Sequence, residues 1–114
     1  MQPIKRSEVQ QALDTFANQE VYIHLETTNG AYASHFNEGF FSAGAYIRNA
    51  KVSYTRGTIT GDDPYRIGLK MPIGWIYAEG LTDWEIDDQG RLLIAGHDHE
   101  GKLAVALEIS KEPF

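Results

Sequence analysis

Apolar and polar residues alternate from position 21 to position 26, and Thr27 and Thr28 continue the segment. Odd-numbered positions carry Val21, Ile23 and Leu25, while even-numbered positions carry polar or amphipathic side chains. A period of two is typical of a strand that buries one face. Asn29-Gly30 follows, and this pair accepts the positive φ angles of a type I′ turn. The pattern therefore predicts a hairpin whose second strand runs through residues 31–36.

The register of this predicted hairpin brings two histidines together. With a two-residue turn, Thr28 pairs with Ala31, and His24 then lies directly opposite His35. Glu26 lies two residues further along the same face. A longer loop that shifted the register by an odd number of residues would place the two rings on different faces.

A segment with helical spacing precedes the hairpin. Ser7 and Gln10 fit a capping box, and apolar residues recur every three or four positions as far as Ala17. Asn18 is suited to end the helix because asparagine tolerates a left-handed conformation. We predict one helix over residues 7–17, with its apolar stripe packed on a sheet.

The chain after Phe36 consists of short extended segments separated by glycine, proline and aspartate. Strands are predicted over residues 43–48, 51–60, 65–70, 75–79, 83–87 and 91–98, with a bulge or join at Asn49-Ala50. Turns are predicted at 61–64, 87–90 and 100–101, and residues 71–74 are predicted to be a loop or an edge because Pro72 lacks a backbone donor. About eight short strands and one helix predict a mainly β fold, a single antiparallel meander or small barrel-like domain over residues 1–114.

The last predicted hairpin has a register that matches apolar residues with each other. A turn at Glu100-Gly101 sets Leu92 opposite Ile109 and Ile94 opposite Leu107. We therefore expect one shared core that includes Val21, Ile23, Leu25, Ile94, Leu103, Val105, Leu107 and Ile109.

Two stretches of the chain, YIHLETTNGAYASHFNEG and GWIYAEGLTDWEID, resemble the small Bacillus YojF family of uncharacterised proteins. The resemblance extends over the whole chain and implies an all-β fold with an N-terminal helix, in a bacillus-type cytoplasm. The family has no established activity, catalytic residues or cofactor to carry over. Its genes often lie beside a deacetylase of bacillithiol synthesis, which implies a link to that pathway and to a neighbouring enzyme as a partner.

Composition narrows the classes of function. Hydrophobic residues make up 42% of the 114 residues, as in a globular protein. No stretch approaches the roughly 20 apolar residues of a membrane span, and the first residues form no signal peptide, so we expect a cytoplasmic protein. The absence of cysteine excludes disulfides and thiolate chemistry. A formal charge of −6 argues against nucleic-acid binding.

The predicted first hairpin supplies one candidate site. Imidazole and carboxylate groups are common ligands of transition metals, so His24, Glu26 and His35 form a candidate metal site. The same face, with Tyr22, could instead line a metal-free ligand pocket or be a solvated surface. These alternatives stay open in the sequence.

His97 and His99 form a second histidine pair at the tip of the last hairpin, near Ala104 and Lys102. The H-x-H spacing places both rings on one face of a strand, as in cupin metal sites. The cupin pattern also needs a glutamate and a distant histidine, for which the remaining chain is too short. We interpret this pair as part of a polar hairpin tip.

Positive charge collects in the middle of the chain. No acidic residue lies between Glu38 and Asp62, and the basic residues in and after that interval are Arg48, Lys51, Arg56, Arg66 and Lys70. This segment could receive a small anion such as a carboxylate, phosphate or sugar acid, with Tyr46 and Tyr54 for stacking. Dispersed surface charge is the alternative interpretation.

Two classes of function follow from these patterns. The first is a non-catalytic protein that binds a small ligand or assists another enzyme, with a ligand site drawn from Tyr22, His24, Glu26, His35, Arg48 and Arg56. The second is a small metal-dependent enzyme that uses the two histidines of the first hairpin with Glu26. Motifs of serine hydrolases, phosphate-binding loops and zinc proteases are absent from the sequence.

Overall fold

A computed structural model of the chain describes residues 1–28 and 43–114. Its elements are β1 (Gln2–Pro3), α1 (Arg6–Phe16), β2 (Val21–Thr28), β3 (Ala43–Val52), β4 (Arg56–Gly61), β5 (Tyr65–Lys70), β6 (Trp75–Leu81), β7 (Asp83–Ile86), β8 (Leu92–His97) and β9 (Leu103–Ser110). The predicted mainly β, antiparallel fold with one N-terminal helix is confirmed.

The strands form two antiparallel sheets. A six-stranded sheet has the order β1-β7-β8-β9-β2-β3, and a three-stranded sheet has the order β4-β5-β6. Each sheet has two end strands within the described residues, so the fold is an open meander and the predicted barrel-like closure is wrong. No helix in the described ranges is long and apolar enough to cross a membrane.

The helix forms where its spacing predicts but begins differently. Lys5 is the N-cap and makes no side-chain capping bond, so the predicted capping box of Ser7 and Gln10 is wrong. Gln10 instead donates from Nε2 to the Gly57 carbonyl at 2.7 Å and accepts at Oε1 from the Ile59 amide at 3.1 Å. These bonds to the edge of β4 replace the local bond that a capping box would make.

The predicted end of the helix is confirmed. Asn18, which follows the C-cap Ala17, has a φ of 60° and donates its amide to the Tyr54 carbonyl at 2.8 Å.

Tyr54 is fully buried, and its hydroxyl donates to the Leu13 carbonyl at 2.6 Å. Burial raises the pKa of the Tyr54 phenol. The predicted stacking role of Tyr54 on the surface is therefore wrong, because this ring is part of the core.

Strand β2 has neighbours on both edges. It pairs with β9, which sets His24 opposite Glu108 and Leu25 opposite Leu107, and it pairs with β3 on its other edge. The predicted ladder between residues 21–28 and 31–36, with His24 opposite His35, falls on a second strand that lies outside the described residues. The predicted Asn29-Gly30 turn and His35 itself lie outside the described residues.

The expected bulge in β3 is confirmed. Asn49 has a φ of 57°, and the register between β2 and β3 shifts between the pairs Ile23–Ala50 and Leu25–Ile47. The bulge gives β3 one extra residue opposite His24. It thereby brings the Arg48 side chain to the His24 ring.

The last hairpin confirms most of its predicted register. Leu92 pairs with Ile109, and Ile94 pairs with Leu107. The register then shifts after Gly96, so His97 lies opposite Leu103, and the predicted position of His97 near Ala104 is wrong. Leu103 is 38% exposed and does not belong to the core as predicted.

The core lies between the sheets and under α1. Among the predicted core residues, Leu25 is partly buried, and Val21, Ile23, Ile94, Val105, Leu107 and Ile109 are buried. The two sheets come into close contact at Gly96 of β8 and Gly80 of β6. A Cβ atom on Gly96 would lie 2.1 Å from the Gly80 carbonyl oxygen.

Candidate functional site

The outer face of β4, β5 and β6 carries a shallow groove of about 270 Å³. It forms because alternate residues of these strands face away from the core. In β4, for example, Gly57 and Ile59 are buried while Arg56 and Thr60 are exposed. The lining residues are Arg56, Thr58, Thr60, Arg66, Gly68, Trp75 and Tyr77.

Two positive charges occupy neighbouring positions on this face. Arg56 lies directly opposite Lys70, and Lys70 lies directly opposite Trp75, so the three residues form one row across the sheet. Like charges that face each other across a ladder repel. Within residues 1–28 and 43–114, neither cation forms an ion pair with a carboxylate. The groove therefore has an excess of positive charge at one end.

Two aromatic rings form a platform beside these cations. Trp75 and Tyr77 stack with centroids 5.4 Å apart and planes 8° from parallel. The Arg66 guanidinium lies 4.2 Å from the Tyr77 centroid and forms an ion pair with Glu79 at 3.3 Å. Gly68 lets Tyr77 lie close to β5, because a Cβ atom there would be 2.8 Å from the Tyr77 ring.

His24 is the centre of a second polar cluster, on the six-stranded sheet. Its side chain is buried, with Nε2 3.2 Å from Glu26 Oε1 and Nδ1 3.3 Å from Arg48 Nη1. Because a guanidinium only donates, Nδ1 accepts from Arg48 and Nε2 carries the proton that it donates to Glu26. Both ring nitrogens are thus engaged within the protein. Tyr46 and Phe114 also pack edge-on against the ring.

This arrangement does not resemble a metal centre. Among the residues that the structure describes, no three histidine, aspartate or glutamate side chains could hold a metal ion. Of the predicted metal ligands, His24 and Glu26 bond to each other, and His35 lies outside the described ranges. The Arg48 guanidinium against His24 would also repel a cation.

The other predicted site residues are divided between the sheets. Tyr22 lies in β2 on the same face as His24 and is half-buried. Arg48 is in β3 and lies 4.0 Å from Glu108, whereas Arg56 is in β4 of the other sheet. Lys51 forms an ion pair with Glu20 at 2.8 Å. The structure therefore unites Arg56, Arg66 and Lys70 on one face and places the rest of the predicted basic segment elsewhere.

His97 belongs to a third cluster, which the sequence analysis missed. Its Nδ1 donates to Asp83 Oδ1 at 3.0 Å, and the Thr82 hydroxyl donates to the same oxygen at 2.6 Å. The Thr82 hydroxyl and then His97 hold the pKa of the Asp83 carboxyl below its usual value. His99 is 89% exposed at the hairpin tip and does not share this cluster, so the two histidines are not on one face.

Comparison with known proteins places the chain in a family. The family model described as "Protein of unknown function (DUF1806)" matches residues 3–114. The chain belongs to this family. The "Uncharacterized protein YojF" of Bacillus subtilis (strain 168) is 54% identical over 114 residues, which cover 100% of this chain and 98% of that protein. The resemblance recognised in the sequence is thereby confirmed.

A solved structure of the DUF1806 relative supports the fold. The crystal structure of Bacillus subtilis YojF matches with a TM-score of 0.85 and 49% identity over 99% of this chain and 95% of that chain. Membership of the family assigns no activity.

The sequence contains connections and outward-facing residues from which the groove could have been predicted. The turn predicted at 61–64 and the loop or edge predicted at 71–74 separate the three strands whose observed pairing places Arg56, Lys70 and Trp75 in one row. The charges were recognised in the sequence, but the exposed Trp75 and Tyr77 beside them were not. These two aromatics of β6 lie on the same outer face as Arg66 and Lys70 of β5.

The Asp83 cluster predicts a dependence of stability on pH. A lowered pKa in the folded state means that the ionised Asp83 carboxylate stabilises the fold above its unfolded pKa of about 4, and that this contribution is lost as pH falls through the folded value. We expect Asp83→Asn to lower the melting temperature at pH 7 and to flatten its decline between about pH 5 and pH 2.

Thermal unfolding of the wild type and Asp83→Asn across this pH range is the measurement. Asp88→Asn, which changes an exposed carboxylate in the turn after β7, is the matched control and should follow the wild-type curve. Some decline should persist in Asp83→Asn, because backbone amides also lower the pKa values of Asp87 and Asp98. Equal slopes for Asp83→Asn and the wild type would contradict the stabilising role of the cluster.

Proposed function

We propose that this protein is a non-catalytic binding protein for a small anion, and that the groove on β4, β5 and β6 is its binding site. The observation that carries the proposal is the row in which Arg56 faces Lys70 without an ion-pair partner among the described residues. An anion bound between them relieves their repulsion. A guanidinium can also bind phosphate or carboxylate through two parallel hydrogen bonds.

The surroundings of this row favour one compact anion. Thr58 and Thr60 line the groove with hydroxyls that can donate to an anion or its substituents. Glu79 neutralises Arg66 through their ion pair, so the positive charge is concentrated at Arg56 and Lys70. A chain with a formal charge of −6 repels a long polyanion, which disfavours nucleic acid.

The resemblance to the YojF family guides the choice of probes. Its association with bacillithiol synthesis supports testing sugar acids and malate-type carboxylates beside inorganic phosphate. We also propose that the protein acts in the cytoplasm and assists an enzyme of a neighbouring pathway. The geometry of His24 does not favour a metal-dependent enzyme, because both ring nitrogens bond to Arg48 and Glu26.

We expect Arg56→Gln to weaken anion binding by about tenfold or more, because it removes a charge-assisted hydrogen bond worth about 1.5–3 kcal/mol. Thermal shifts and calorimetric titrations with inorganic phosphate, malate and glucuronate measure the affinity. Lys51→Gln is the matched control, since Lys51 is also positively charged but forms an ion pair with Glu20, away from the groove. It should bind like the wild type.

Three results would refute the proposal. One is a wild-type protein that none of these anions stabilises at millimolar concentration. Another is an Arg56→Gln variant that binds as well as Lys51→Gln. The third is tight binding of duplex DNA at physiological salt, since the groove is proposed for one compact charge.

A further inference from the structure

The groove places an exposed aromatic surface next to Arg56 and Lys70, which have no carboxylate partner among the described residues. Trp75 is 43% exposed on the outer face, although an indole ring gains most by burial. Tyr77 supports it from one side in a nearly parallel stack. Exposed apolar surface within a polar groove is typical of a position that a ligand covers.

The aromatic platform is held in place before any ligand binds. Tyr77 is packed over Gly68 of β5, where no side chain intervenes. The Arg66 guanidinium lies 4.2 Å from the Tyr77 centroid, and its ion pair with Glu79 orients it. Trp75 therefore stacks on a supported ring, and little conformational entropy is lost when a second ring binds to it.

The spacing between strands sets the distances from Trp75 to the cations Lys70 and Arg56. Adjacent strands lie about 4.8 Å apart, so the backbone of Trp75 is about 5 Å from that of Lys70 and about 10 Å from that of Arg56. The Lys70 ammonium lies 5.9 Å from the Trp75 centroid. A ligand with one ring over Trp75 and one acidic substituent can therefore contact the aromatic and the charges together.

We infer that the ligand is an acidic sugar, a hexopyranose that carries a phosphate or carboxylate group. A pyranose ring has a face of C–H groups and a rim of hydroxyls, so it buries an apolar face on Trp75 while remaining hydrogen-bonded at its edge. Thr58 and Thr60 supply hydroxyls for that rim. The acidic group binds at Arg56 and Lys70. This inference rests on the proposed function and specifies its ligand.

Fluorescence of Trp75 provides the test. The chain has two tryptophans, and a Trp84→Phe background leaves Trp75 as the sole indole. Trp84 is buried, and its Nε1 has no hydrogen-bond partner among the described residues, so this change removes no hydrogen bond. Glucose 6-phosphate, glucuronate, glucose, inorganic phosphate and a single-stranded oligothymidylate are titrated into this variant, and calorimetry on the wild-type background repeats the series.

Glucose 6-phosphate should shift the Trp75 emission and bind about tenfold more tightly than inorganic phosphate, because only the sugar phosphate adds ring stacking. Trp75→Leu should remove this advantage and leave the affinity for phosphate unchanged. Arg56→Gln should weaken binding of both. Tyr46→Leu, which changes an exposed aromatic on the other sheet, is the control and should bind like the wild type.

The outcomes separate this inference from the proposed function. If phosphate binds as tightly as glucose 6-phosphate and Trp75→Leu changes neither affinity, the sugar class is wrong and the anion site stands. If no anion binds, both are wrong. Tighter binding of the oligothymidylate than of glucose 6-phosphate at physiological salt would assign the platform to nucleobases and overturn the inference.

Discussion

Replacing Leu107 with alanine is expected to lower the free energy of unfolding by about 2–5 kcal/mol. Leu107 is fully buried in β9, between Leu25 of β2 and Ile94 of β8. Truncation removes apolar contacts on both sides and leaves a cavity that the flanking strands cannot fill without moving. Urea denaturation with an unchanged m-value measures the loss.

The same strand offers a matched control. Leu103 is 38% exposed near the hairpin tip, and Leu103→Ala should change the free energy of unfolding by less than about 0.5 kcal/mol. A similarly small effect for Leu107→Ala would place that side chain on the surface and contradict the register of β9.

Replacing Gly96 with alanine is expected to cost about 3 kcal/mol or more, or to prevent folding. A Cβ atom there would lie 2.1 Å from the Gly80 carbonyl oxygen and 2.6 Å from a Val105 methyl group. The carbonyl belongs to the backbone of β6, so the clash is relieved only by moving the two sheets apart. Soluble yield and thermal unfolding measure the effect.

Gly68→Ala is the comparison for this substitution. Its new methyl group would lie 2.8 Å from the side chain of Tyr77, which can rotate away from an outer surface. We expect a loss of about 1 kcal/mol and a protein that still folds. If Gly96→Ala were as stable as Gly68→Ala, the close approach of the two sheets would be wrong.

Local signals in the sequence predicted much of the fold. Turn residues located the connections at 61–64 and 87–90, Pro72 marked 71–74 as a loop or an edge, and a bulge or join was predicted at Asn49-Ala50. The register of β8 and β9 followed from one turn because each apolar residue then met another. In these cases the residues that determine the structure are near each other in sequence.

Strand partners were less predictable, because they depend on contacts between distant residues. Alternation in β2 identified its buried face, but a period of two is satisfied by any neighbouring strand of matching pattern. Within the described residues the partners are β3 and β9, so His24 meets Arg48 and Glu108. The register shift after Gly96 was also missed, and with it the contact between His97 and Asp83.

The contact between Gln10 and β4 has a consequence for association between molecules. Among the strands that the structure describes, β4 is an end strand of its sheet, and such an edge exposes backbone groups that could pair with a strand of another chain. The Gln10 amide supplies one donor and one acceptor to this edge, as a neighbouring strand would. Docking of α1 thus blocks intermolecular sheet growth along β4, and loss of the helix would expose an aggregation-prone edge together with the core beneath it.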